Sequence, residues 1–158
     1  MTTPLGTSIL KNVTINYCKI DPENPAEPFG TLQWEVQALV PEDRLSEIED
    51  LGRIRAHSDY DLIPEGFLAV NLRRKAFTRD GKPNFPVEFV DINKKPITNY
   101  RNIGNGSTAN VKIYRREYDV AGRQGISTIL SGIQMITLVE YNGSVDFDIE
   151  SQDTDEAF

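Results

Sequence analysis

Cations and rings alternate along one short segment: Lys112, Tyr114, Arg116 and Tyr118 stand two apart, with Val111 just before the run and Ile113 inside it. Successive side chains of a strand point to opposite faces. Ala109–Val120, read as a strand, therefore turns Val111 and Ile113 inward and presents basic, aromatic, basic, aromatic on its other side. Phe67–Arg79 repeats the arrangement, with Leu68, Val70 and Leu72 facing one way and Asn71, Arg73, Lys75, Phe77 and Arg79 the other. Cations follow a phosphate chain and rings offer flat surfaces to unstacked bases, so this is chemistry that holds single-stranded nucleic acid. Stacking is worth about 1–3 kcal/mol per base and tolerates any sequence, because every base has a π-face. A solvated sheet face also carries Arg, Lys and Tyr. Two such strands rather than one favour binding.

The charge distribution points the same way. The chain has 158 residues and a formal net charge of −7, which by itself argues against a nucleic-acid binder. Residues 1–66, however, hold five Lys/Arg against twelve Asp/Glu, residues 67–123 hold twelve against five, and residues 124–158 hold none against seven. Segregation of this kind is a better electrostatic signal than the total. The middle segment supplies the candidate contacts: Arg73, Arg74, Lys75, Phe77, Arg79, Lys112, Tyr114, Arg115, Arg116 and Tyr118 from the strands. Lys82, Tyr100 and Arg123 come from the loops, where Lys94, Lys95 and Arg101 could extend the groove.

Positioning these residues requires mostly strands. Ser8–Lys19 is rich in Ile, Val, Thr and Tyr. Thr31–Val40 alternates Leu32, Trp34, Val36 and Ala38 with polar neighbours, which predicts a strand with Trp34 in the core. From Pro41, the repeat Leu45, Ile48, Leu51, Ile54 predicts the chain's one helix, with Glu42 and Asp43 at its start and Arg53 and Arg55 near its end. Phe67–Arg79 closes in the turn Asp80-Gly81-Lys82. Val87–Ile92 is a short strand, Ala109–Val120 a long one, Gly122–Gly125 a hairpin turn, and Ile126–Tyr141 the last strand, with a bulge or bend at Gly132. This content predicts an all-β domain over residues 1–145: a five-stranded, Greek-key barrel of the oligonucleotide-binding type with one helix. Asp146–Phe158 holds six acidic and no basic residues and predicts a disordered tail.

Other chemistries lack their residues. The single cysteine, Cys18, rules out an internal disulfide and a Cys-rich zinc site. His57 beside Ser58 and Asp59 does not make a triad, and a histidine at a helix end serves the dipole. Gly104-Asn-Gly106-Ser107 lacks the lysine and helix of a phosphate loop. Asp80, Glu88 and Asp91 are the acids near the basic face and read as turn or edge residues, so no catalytic residue, metal or cofactor is expected. No helix-turn-helix pattern is present, and no apolar run approaches the ~20 residues of a membrane span. The N-terminus shows no signal peptide.

Lys94-Lys-Pro-Ile97, Ile103-Gly-Asn-Gly-Ser107, Val111-Lys-Ile113, Ser131-Gly-Ile-Gln-Met-Ile-Thr-Leu-Val-Glu140 and the acidic tail ending in Phe158 resemble the single-stranded DNA-binding proteins of T-odd podophages. The resemblance is best over roughly residues 87–158. It implies an oligonucleotide-binding barrel that binds single-stranded DNA without sequence preference in phage replication and recombination, in the cytoplasm of the infected bacterium. It further implies a homodimer. By the same resemblance the tail, through Asp146, Asp148, Glu150, Asp153, Asp155, Glu156 and Phe158, contacts the phage DNA polymerase and the helicase–primase and can occupy the DNA groove. Tyr118 matches a base-stacking aromatic of the penultimate strand, and Arg73 and Arg74 fall where the family has a Lys/aromatic cluster. A protein-interaction scaffold and, further off, a small phage nuclease are the competing readings.

Overall fold

The computed structural model describes residues 5–27, 30–100 and 103–140. Seven strands form one sheet: β1 Gly6–Lys19, β2 Gln33–Pro41, β3 Arg55–Ala56, β4 Phe67–Lys75, β5 Glu88–Val90, β6 Ser107–Val120 and β7 Arg123–Thr137. Their order is β3-β4-β2-β1-β6-β7-β5. Every ladder is antiparallel except that of β5 with β7. β1, β2, β4, β6 and β7 are the five long strands that the sequence predicts; β5 lies within the predicted short strand Val87–Ile92, and β3 adds two residues at the other edge. β4 and β7 also pack against each other, at a seam without a hydrogen-bonded ladder.

β1 serves two partners because it bends twice. Its register shifts between Leu10 and Val13 against β6, and between Asn16 and Lys19 against β2. At each shift one residue turns left-handed, Asn12 at φ 50° and Tyr17 at φ 52°. An asparagine holds each: the Asn110 side-chain oxygen accepts from the Asn12 N–H at 2.9 Å, and that of Asn105 accepts from the Tyr17 N–H at 2.8 Å. Asn tolerates this conformation, whereas a bulky Tyr rarely adopts it.

The alternating residues meet inside. Val13, Ile15, Val36, Ala38, Val70, Leu72, Val111, Ile113, Leu130 and Ile133 are buried in one core. Burial of each such aliphatic side chain contributes roughly 1.5–3 kcal/mol. Trp34 is in this core, and its indole N–H donates to the Asp21 carbonyl at 2.8 Å. Cys18 packs against it, and burial pushes its thiol up to about 12, which keeps it protonated.

The helix is shorter than its pattern suggests. Glu42–Arg44 forms a 3-10 turn and Leu45–Ile48 one α-turn. The Leu51 N–H already bonds three residues back, to the Ile48 carbonyl, and Arg55–Ala56 then pairs with β4. A three-residue apolar period suits a tight turn ending in buried Ile48 and Leu51 better than a 3.6-residue helix. Consequently Arg53, Arg55 and His57 do not complement a helix dipole. Arg55 lies over the Tyr60 ring, 5.0 Å from its centre, and donates to the Tyr60 hydroxyl at 2.6 Å. His57 Nδ1 faces the Ile63 carbonyl at 2.7 Å.

Candidate nucleic-acid interface

β6 displays the predicted alternation. Val111 and Ile113 are buried, whereas Tyr114 and Tyr118 are 40% and 43% exposed. From Arg116 to Gln124 every residue is exposed. The end of β6 and the start of β7 therefore form a two-stranded arm that reaches past the core. Its ladder runs from Arg116↔Ser127 to Val120↔Arg123. The turn is tighter than predicted: Ala121 and Gly122 alone make it, at φ 53° and 80°. Two positive-φ residues match the right-handed twist of the flanking strands. Gly125 thus belongs to β7, directly opposite Tyr118.

Arg115 does not join this surface. Period two sends it inward, where it is 5% exposed. It donates to Ser8 Oγ at 2.8 Å and pairs with Asp50 at 3.2 Å. Lys112 does face outward, but its ammonium is paired with Glu88 of β5. Among the described residues Arg116 has no charged partner at ion-pair distance.

β4 places Arg73 and Lys75 outward and Arg74 half-buried. Glu35 lies opposite Arg73 in the β2–β4 ladder and offsets part of that charge. Arg74 is built into the structure: its Nε donates to the Phe85 carbonyl at 2.6 Å, and it bonds Asn84 at 3.2 Å. Burial holds its guanidinium below the ordinary range, and the positive charge of Arg116 adds to this. Arg74 of β4 and Arg116 of β6 thus lie within electrostatic reach of each other. The strand itself ends at Lys75, earlier than predicted. Phe77 makes an isolated bridge to Pro83, and Thr78–Lys82 is a turn that carries Arg79 and Lys82. Phe77 remains 44% exposed.

Tyr100 is turned from solvent toward the protein. Its ring is tilted against Phe89 at 5.8 Å and packs on the core. Asp91 organises a turn: its side chain accepts from the Asn93 and Lys95 N–H groups. Among the described residues no three His, Cys, Asp or Glu are grouped to hold a metal. Nor is any helix there long and apolar enough to cross a membrane. Arg101 and the tail residues Asp146, Asp148, Glu150, Asp153, Asp155, Glu156 and Phe158 lie outside the described residues. Phe85, 81% exposed, is a ring that the sequence pattern did not single out. It sits between Asn84 and Pro86, outside any strand, so no alternation marks it; an apolar residue in such a loop is itself the available signal.

No protein-family model matches the chain, and no curated protein matches it. Solved structures do. The single-stranded DNA-binding protein of bacteriophage Enc34, in complex with ssDNA, superposes with a TM-score of 0.59 at 15% identity, over 87% of this chain and 90% of that one. Its C-terminal truncation gives 0.58 at 13%, over 87% and 89%. The single-stranded DNA-binding protein gp2.5 of bacteriophage T7 gives 0.58 at 16%, over 92% and 96%. The chain shares the fold of these proteins.

Proposed function

We propose that the chain is a sequence-non-specific single-stranded DNA-binding protein of a phage replication and recombination system. The observation that carries this reading is the run Tyr114, Arg116, Tyr118 on one face of β6, two half-exposed rings flanking a guanidinium with no charged partner among the described residues. The fold shared with a phage protein bound to ssDNA supports it. Phosphates lie along Arg116, Arg73, Lys75, Arg79, Lys82 and Arg123, and bases stack on Tyr114, Tyr118 and Phe77. Lys112 contributes less, because Glu88 already neutralises it. The role is protection and presentation of the strand rather than catalysis.

The tail completes the reading. A segment bearing six acids imitates a phosphate chain and competes for the basic face. DNA displaces it, and the freed tail, with Phe158, recruits the phage polymerase and helicase–primase in the cytoplasm of the infected bacterium. Both attractions weaken with salt, since the Debye length is only about 8–10 Å at physiological ionic strength. The protein acts as a homodimer. Removal of Asp146–Phe158 then tightens DNA binding at low salt.

The reading is tested by titrating the full chain into labelled oligo-dT of about 30 nucleotides at several salt concentrations, with a duplex control. Single-strand binding that falls log-linearly with salt, and little duplex binding, is expected. Absence of single-strand binding at low salt, with and without the tail, overturns the proposal and leaves a protein-interaction scaffold.

A further inference from the structure

Gly125 has no backbone reason to be glycine. The turn glycine beside it, Gly122, adopts φ 80°, but Gly125 is absent from the left-handed residues and sits in the regular β6–β7 ladder. Glycine inside a strand costs about 0.5–1 kcal/mol relative to alanine, so an unexplained one calls for a packing reason. Tyr118 supplies it. A Cβ at position 125 would lie 2.5 Å from the Tyr118 hydroxyl oxygen, 2.7 Å from Cζ and 2.8 Å from Cε1. The far end of the ring therefore occupies the space that any side chain at 125 would fill. A tyrosine standing off the ribbon would hold its hydroxyl well above the sheet; this one leans across to the opposite strand. It nevertheless stays 43% exposed. Tyr114, the other ring of the face, has Ile129 opposite, which leaves no such space.

We infer that Gly125 is a positioning residue for nucleic-acid binding: its missing side chain lets the Tyr118 ring lie across the arm as a pre-set platform for one base. The inference rests on the proposed single-strand binding. The arm is exposed from Arg116 to Gln124, beyond the buried residues of β6. The glycine backbone beneath is what fixes its orientation before a base arrives, and pre-orientation removes part of the ordering cost of binding. The clash in an alanine variant falls on the free end of one side chain, so the ring swings away and the fold stays intact. Stability and binding then move independently. Alanine improves the strand while the platform is lost.

The test uses the full chain with Gly125→Ala, Tyr118→Ala, Tyr118→Phe and the double variant Gly125→Ala/Tyr118→Ala. Proton NMR reads the ring directly: the Gly125 Hα resonances carry a ring-current shift in wild type and Tyr118→Phe, and lose it in Tyr118→Ala. Labelled oligo-dT titration reads the role. Tyr118→Ala weakens binding roughly five- to 150-fold, as expected for one lost stacking contact. Gly125→Ala reproduces most of that loss of affinity, with an unchanged or raised melting temperature. In the double variant Gly125→Ala adds nothing further. Gly125→Ala binding like wild type while Tyr118→Ala is weakened overturns the positioning role alone. Equal additional loss from Gly125→Ala in the Tyr118→Ala background also overturns it. Wild type that fails to bind oligo-dT overturns the underlying functional reading, and the positioning role with it.

Discussion

The two halves of β6 are one strand with two environments. From Ser107 to Arg115 its side chains alternate between burial and partial exposure, and every second one enters the core. From Arg116 to Val120 both faces are exposed, yet the aromatic and cationic residues keep to one of them. In the first half, alternation is enforced by packing. In the second half no core demands it, so the placing of Tyr118 and Arg116 on the face of Tyr114 calls for another cause, and the proposed DNA contact would supply one. Adjacent arginines show the contrast most sharply. Arg115 is a buried structural cation paired with Asp50, and Arg116 is an exposed one available to phosphate.

The largest effect that would break this contrast lies in the barrel half. Ile113→Ala deletes a side chain that is 1% exposed and lowers stability by about 2–5 kcal/mol in urea denaturation. A loss below about 1 kcal/mol would place β6 outside the core. On the arm, Tyr118→Ala leaves the urea midpoint unchanged and weakens oligo-dT binding by about 1–3 kcal/mol. Unchanged affinity would place the DNA on another face. The arginine pair separates the two halves within one dipeptide. Arg115→Ala lowers stability by about 1–3 kcal/mol, because it strips partners from Ser8 and Asp50, and leaves the salt slope alone. Arg116→Gln does the reverse: stability stays within about 0.5 kcal/mol, and the log–log salt slope flattens by about 0.7. The smallest effect belongs to the rim. Glu88→Gln releases Lys112 from its exposed ion pair, costs about 0–1 kcal/mol of stability and tightens DNA binding at low salt.

The same contrast explains what the sequence made legible. Where packing enforces period two, as at Val111 and Ile113 or Val70 and Leu72, faces follow from spacing alone, and the five long strands with them. Charge suggests exposure for Arg115, whereas alternation alone turns it inward. Spacing does not orient Tyr100 either. It lies in a loop without periodicity, and its place against Phe89 depends on the distant β5. The helix is shorter than its pattern because a three-residue apolar repeat fits a tight turn as well as a helix. Two glycines near a hairpin both suggest the turn, Gly125 with Gly122. Only the cross-strand register, which sets Tyr118 over it, distinguishes their roles.

The most direct measurement of the central claim is ultraviolet crosslinking of the full chain to oligo-dT, followed by mass spectrometry of the adducted peptides. Adducts concentrated on Tyr114 and Tyr118, lost at high salt and reduced by unlabelled single strand, are the predicted result. Crosslinks that leave β6 unmodified and fall on other exposed rings, such as Tyr60, would contradict it.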